Sequence, residues 1–153
     1  MRRSVLFMEL MKFADHLPNL EIMLLENVRH ILSHKMSKVF KAVLKELTSR
    51  TFTVKWVTLK ASMFGAHHGR SRWFCLAYRD GMLIKYLREK IEPATPELLA
   101  ALQQQEWNAG AKLQLDKYLV PTLDDETKAR LDMMGNAVVP VCAKVSLAIL
   151  VHM

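Results

Sequence analysis

Two β-rich runs, joined by a connection too short for a crossover helix, constrain this chain most. Phe52 to Leu59 alternates, with Val54, Trp56 and Thr58 against Thr53, Lys55 and Val57, and Trp73 to Tyr78 is a second run of strand-forming residues. The stretch between them, Ala61 to Arg72, cannot return the chain for parallel pairing, so the two strands are expected to be antiparallel. A third strand is expected at Ile22 to Leu25, an apolar run that stops at a carboxylate, Glu26.

Helical patterns separate these strands, which makes the expected class α/β. Ser4 to His16 carries Leu6, Leu10, Met11 and Phe13 near helical spacing and is ended by Pro18. After Glu26, Ser33 or Ser37 is placed to cap a helix with Val39, Phe40, Val43, Leu44 and Leu47 as its apolar stripe and Lys35, Lys38, Lys41 and Lys45 outside. Leu83, Ile84 and Leu87 belong to a short helix, Pro96 opens another, and Thr122 to Glu126 has the acidic first turn of a further one. Trp107 to Lys117 has the least periodicity. Val141 to Val151 is apolar over much of its surface and is expected to be buried against a sheet.

Charge separates the chain into two parts. Residues 1–90 carry 17 Lys and Arg against 7 Asp and Glu, a net of +10, and the remainder carries 5 against 8, a net of −3, which together give the overall +7. The first part can meet a polyanion or merely display a solvated basic face. With 153 residues, 51% of them hydrophobic, one core is the expectation. No apolar run is long enough to span a membrane and no secretory signal is evident, so an intracellular, soluble protein without a membrane partner is expected. Cys75 and Cys142 lie in apolar segments without a CxxC partner, as buried free thiols do.

Three stretches carry chemistry. In Leu24-Leu25-Glu26-Asn27-Val28 a carboxylate follows a strand, at the end of an α/β sheet where ligand crevices lie; it either acts there or simply meets water. In Phe64-Gly65-Ala66-His67-His68-Gly69-Arg70-Ser71-Arg72, glycines permit a tight backbone, and Arg70 and Arg72 are expected on opposite faces, one toward a site and one outward. The paired histidines lack a third ligand, so no metal is expected. In Gly135-Asn136-Ala137-Val138, ahead of Pro140, backbone donors and a short amide at a helix entrance either cap the helix or hold a polar cofactor edge.

In this order the three stretches resemble motifs VI, VIII and X of the cytosine-5 DNA methyltransferase family. Motif VIII there usually reads Tyr-Gly-x-Pro-Gln-x-Arg-x-Arg. The resemblance covers Arg2 to Tyr78 and resumes near Lys128. It implies a partial Rossmann-like, S-adenosylmethionine-dependent methyltransferase fold that transfers a methyl group to C5 of cytosine in DNA. The target base is flipped out of the duplex. Glu26 would contact its N3 and exocyclic amine, Arg72 its O2, and Arg70 would support the loop. Asn27 and Val28 would shape the substrate crevice, and Gly135, Asn136 and Val138 would border the S-adenosylmethionine pocket.

The departures are specific. None of the five prolines precedes a Cys, so the family's Pro-Cys nucleophile (motif IV) is not among these residues, and neither is its Phe-x-Gly-x-Gly cofactor loop (motif I). The usual Pro-Gln of motif VIII is His67-His68. The expected division is 1–90 as the C-terminal half of the catalytic core, 91–127 as a reduced target-recognition or connecting region, and 128–153 as the motif X helix. The expected role is a split subunit or truncated product of a DNA cytosine-5 methyltransferase. Its partners would be DNA and a second polypeptide carrying motifs I to IV. The alternative is a non-catalytic DNA-binding or regulatory module on the same scaffold.

Overall fold

A computed structural model describes residues 2–33, 36–66, 69–103 and 140–153. Helix α1 (Arg2–Asp15) leads into β1 (Ile22–Val28), a 3-10 turn (Arg29–Leu32), α2 (Ser37–Ser49) and β2 (Thr53–Lys60). A second 3-10 turn (Ala61–Phe64) precedes β3 (Ser71–Tyr78), which is followed by α3 (Gly81–Lys90), α4 (Pro96–Gln103) and α5 (Pro140–His152).

The strands form one sheet in the order β1-β3-β2, with β3 antiparallel to both neighbours. β1 and β2 therefore run parallel to each other, and the chain between them contains α2. The central place of β3 follows from its sequence. Trp73, Phe74, Cys75, Leu76 and Ala77 form an unbroken apolar run, and all five are buried, as a strand covered on both faces requires. The outer strands show a mixture of exposed and covered positions instead.

Each face of the sheet has its own core. Phe74 and Leu76 point with Leu59 and the partly buried Ile22 and Val57 toward α5, whose Cys142, Val145, Leu150 and Val151 are covered, and Ile84 of α3 joins them. Trp73, Cys75 and Ala77 point the other way, onto Met11 and Ala14 of α1 and Val43 and Leu47 of α2. Phe40 of α2 meets both Trp56 and Trp73 edge-on, with ring centroids 5.3 and 5.9 Å away. α5 is apolar around much of its surface, and Ser146, its buried polar residue, donates back to the Ala143 carbonyl at 2.8 Å.

Several boundaries differ from expectation. β1 runs three residues past Leu25 because its ladder with β3 continues to Val28 opposite Arg72. Glu26 is consequently inside a strand, two residues from its end. Neither Ser33 nor Ser37 caps α2: Met36 occupies the cap without a side-chain bond, and Ser37 is the first helical residue. α3 does have a side-chain cap, with Asp80 accepting from the Met82 N–H at 2.7 Å. The helix expected near Thr122 to Glu126, and Trp107 to Lys117, lie outside the described residues.

At the sheet end where β1 begins, Arg50 ties α2 to α1. Its Nε and Nη2 donate to the two carboxylate oxygens of Asp15 at 2.7 and 2.9 Å, and Nη1 reaches Glu46 one turn back. Arg79, just beyond β3, donates to the Arg50 carbonyl at 3.0 Å and lies over the Phe52 ring at 4.2 Å. The Arg50 bonds hold the Asp15 carboxyl below its ordinary pKa. A carboxylate depressed in the folded state contributes stability that is complete above its unfolded pKa and is lost as pH falls through the folded value. Stability is therefore expected to decline on acidification below about pH 4. Asp15→Asn should flatten that decline when thermal midpoints are compared across acid pH; an unchanged slope would show that Asp15 makes no contribution to it.

Candidate functional site

Sheet register brings Glu26 and Arg72 together. Glu26 stands opposite Phe74 and Val28 opposite Arg72, so Glu26 and Arg72 are diagonal neighbours on the α5 face. The Glu26 Oε1 to Arg72 Nε distance is 2.7 Å, and both side chains are mostly covered, 25% and 13% exposed. Arg72 Nη1 also donates to the Ser71 carbonyl at 3.1 Å, which fixes the plane of the guanidinium. The result is a carboxylate and a planar cation side by side at the rim of a sheet.

Arg70 corrects the expectation that it and Arg72 face opposite ways. Positions two apart along extended chain share a face, and Arg70 accordingly feels both the Arg72 charge and that of Glu26. Burial and Arg72 lower the Arg70 pKa, and Glu26 acts against them. The backbone holding it is tied down: the Ala61 N–H donates to the Arg70 carbonyl at 2.8 Å, and Gly65 ends the 3-10 turn in the left-handed region with φ 82°, which favours glycine. Two cations thus act on one carboxylate.

Asn27 and Val28 alternate across β1. Val28 faces Arg72 in the ladder, whereas Asn27 accepts the Val28 N–H on its Oδ1 at 2.8 Å and lines a groove of ≈ 560 Å³ between α1, α2 and β1, with Glu26 and Trp73. Gly135, Asn136 and Val138, as well as His67 and His68, lie outside the described residues. Among the described residues no cluster of three or more His, Cys, Asp or Glu could hold a metal ion. Neither thiol suits nucleophilic work: burial pushes Cys75 up to about 12, and burial also raises Cys142, with nearby Arg70 acting against the rise.

A second concavity opens at the same sheet end but on the opposite face. It measures ≈ 780 Å³ and is lined by Arg29, His30, Leu32, Ser33, Thr58, Lys60, Met63 and Ser71. Sequence reasoning did not single out these basic residues. The available signal was positional, since Arg29 directly follows Glu-Asn-Val and Lys60 closes β2 opposite Ser71.

Two comparisons bear on this arrangement. The model of the C-5 cytosine-specific DNA methylase family matches residues 1–130. The chain is also similar to the Type II methyltransferase M.CviJI of Paramecium bursaria Chlorella virus IL3A, 40% identical over 78 residues, which are 51% of this chain and 20% of that protein. The matched segment thus spans about a fifth of the viral enzyme's length.

Proposed function

Because the chain belongs to the C-5 cytosine-specific DNA methylase family, we propose that it supplies the base-holding part of a DNA cytosine-5 methyltransferase. The observation that carries this is the Glu26–Arg72 pair, 2.7 Å apart on adjacent strands. Cytosine presents an amine, a ring nitrogen and a carbonyl oxygen along one edge. A carboxyl group beside a guanidinium matches that edge: Glu26 takes the amine and N3, and Arg72 takes O2.

The residues act on charge. Nucleophilic attack at C6 pushes electron density toward N3 and O2. A carboxyl that shares a proton with N3, and a fixed cation at O2, both stabilise that density more in the transition state than in the ground state. Arg70, partly buried beside Arg72, positions the loop and adds to the field. The family uses S-adenosylmethionine as methyl donor; Gly135, Asn136 and Val138 are the proposed residues at its pocket. The partial Rossmann-like fold, with 91–127 as a reduced recognition region, is part of the same proposal.

The attacking thiolate is assigned to a Pro-Cys segment outside these 153 residues, with the cofactor loop. The outer edge of β1, which pairs with no further strand among the described residues, together with exposed Leu6 on α1 (75%), Phe13 (63%) and Leu24 on β1 (41%), suits a surface that another segment covers. The test is tritiated methyl incorporation into DNA cytosine. This chain alone is expected to give none, and its co-expression with a polypeptide bearing the Pro-Cys and Phe-x-Gly-x-Gly motifs is expected to give incorporation that depends on Arg72 and Asn136. Incorporation by the chain alone would overturn the assignment of the nucleophile. No incorporation by the complex, with DNA binding retained, would favour a second reading, a non-catalytic DNA-binding or regulatory module; the burial of both thiols is the observation that supports it.

A further inference from the structure

We propose that the cleft lined by Arg29, Lys60 and Ser71 is a phosphodiester site, which holds the DNA backbone beside the nucleotide whose base is presented to Glu26 and Arg72. The inference rests on the base-holding function above and adds a location for the strand.

Four observations support it. Arg29 and Lys60 are exposed and form no ion pair among the described residues, in contrast to Arg50 and Arg72. Among the described residues no acidic side chain lines the cleft, whereas Ser33, Thr58 and Ser71 supply hydroxyls and His30 a ring. The cleft therefore offers cations and neutral donors, the chemistry that takes a phosphate oxygen. Ser71 Oγ has no hydrogen-bond partner among the described residues although it is buried at the wall of the cleft.

Its position selects a nucleic-acid backbone over an isolated anion. Arg29 follows Val28, which pairs with Arg72, and Lys60 pairs with Ser71, the residue before Arg72. The cleft and the Glu26–Arg72 pair thus occupy the two faces of one sheet end. A strand crossing that end sets a base on one side and its neighbouring phosphates on the other. The open mouth suits a polymer passing through.

Fluorescence anisotropy of a labelled cytosine-containing duplex, titrated with the full chain across a salt series, tests the site. Each phosphate neutralised adds about 0.9 to the magnitude of the slope of log affinity against log salt. Arg29→Gln with Lys60→Gln is expected to reduce that magnitude by about 1.8 and to weaken binding at least about tenfold at low salt. Each single variant should take about half of the slope change, and serves if the double variant loses its helical circular dichroism. The matched control is Lys41→Gln with Lys45→Gln on the exposed side of α2, which removes the same charge and should leave the slope nearly unchanged. Equal loss in both pairs would mean diffuse attraction, and would overturn the cleft. Full binding by Arg29→Gln with Lys60→Gln would overturn it while leaving the base-holding function intact. No DNA binding by the parent chain would remove both. Displacement of DNA by inorganic phosphate at constant ionic strength, with saturation, would identify a free-phosphate site and reject the backbone.

Discussion

Glu26→Gln is expected to reduce methyl transfer by the complete enzyme at least about a hundredfold while leaving this chain folded. Gln keeps the size of Glu26 and leaves an amide oxygen beside Arg72, so the diagonal placement on the sheet survives. What it lacks is a carboxyl that can share a proton with N3 of the base as electron density builds there. If Glu26 has the proposed role, the defect should fall on the single-turnover rate, with little change in DNA affinity, because that interaction would strengthen only as the reaction proceeds. Arg72→Lys is expected to behave similarly although charge is retained, since a point charge on a flexible stem does not reproduce a guanidinium fixed by the Ser71 carbonyl. Single-turnover kinetics and circular dichroism on the same preparations check both. An unimpaired rate together with a lowered melting midpoint would reduce Glu26 to a structural ion pair.

The largest expected effect on stability is at Trp73. It is 2% exposed, central in β3, and meets Phe40 edge-on while sharing the α1/α2 core with Met11, Val43 and Leu47. Trp73→Ala removes the indole from between sheet and helices and is expected to cost about 3–5 kcal/mol, a large fraction of a small domain's stability. Trp73→Phe should cost far less than its lost volume suggests. The indole Nε1 is buried without a hydrogen-bond partner among the described residues, and Phe deletes that donor along with the ring atoms. Urea titration of the purified chain separates the two variants. If Phe is as damaging as Ala, the donor has a partner that the described residues do not include.

The pairing of Trp73 to Tyr78 with Phe52 to Leu59 was legible because it depends on local signals alone: alternation, strand propensity and a short connection. The central position of β3 was not, although its apolar run was visible, because the order of strands depends on long-range docking of β1. For the same reason Glu26 was misplaced by a structural element. The apolar run of β1 ends at Leu25, but hydrogen bonding to β3 continues through two polar residues. The likeness of the three motifs to the methylase family located Glu26 and Arg72, whereas nothing in a linear reading placed Arg29 and Lys60 together. They come from the ends of two strands separated in space by β3, and only the sheet order reveals that they share a cleft. The orientation of Arg70 was a failure of a different kind, since the period of two already puts it with Arg72.

The diagonal contact between Glu26 and Arg72 has a bearing on how such a site can change over generations. Its two members are connected by a long stretch that includes a helix, a strand and a glycine-bearing loop, yet their spacing is set by the β1–β3 ladder and not by the length of that stretch. Insertions and deletions in the loop between β2 and β3 can accumulate without separating acid from cation. A single residue gained or lost inside β1, between Glu26 and the remainder of its ladder, would turn the carboxylate to the α2 side and leave Arg72 facing none. What keeps acid beside cation here is a register and not a loop length.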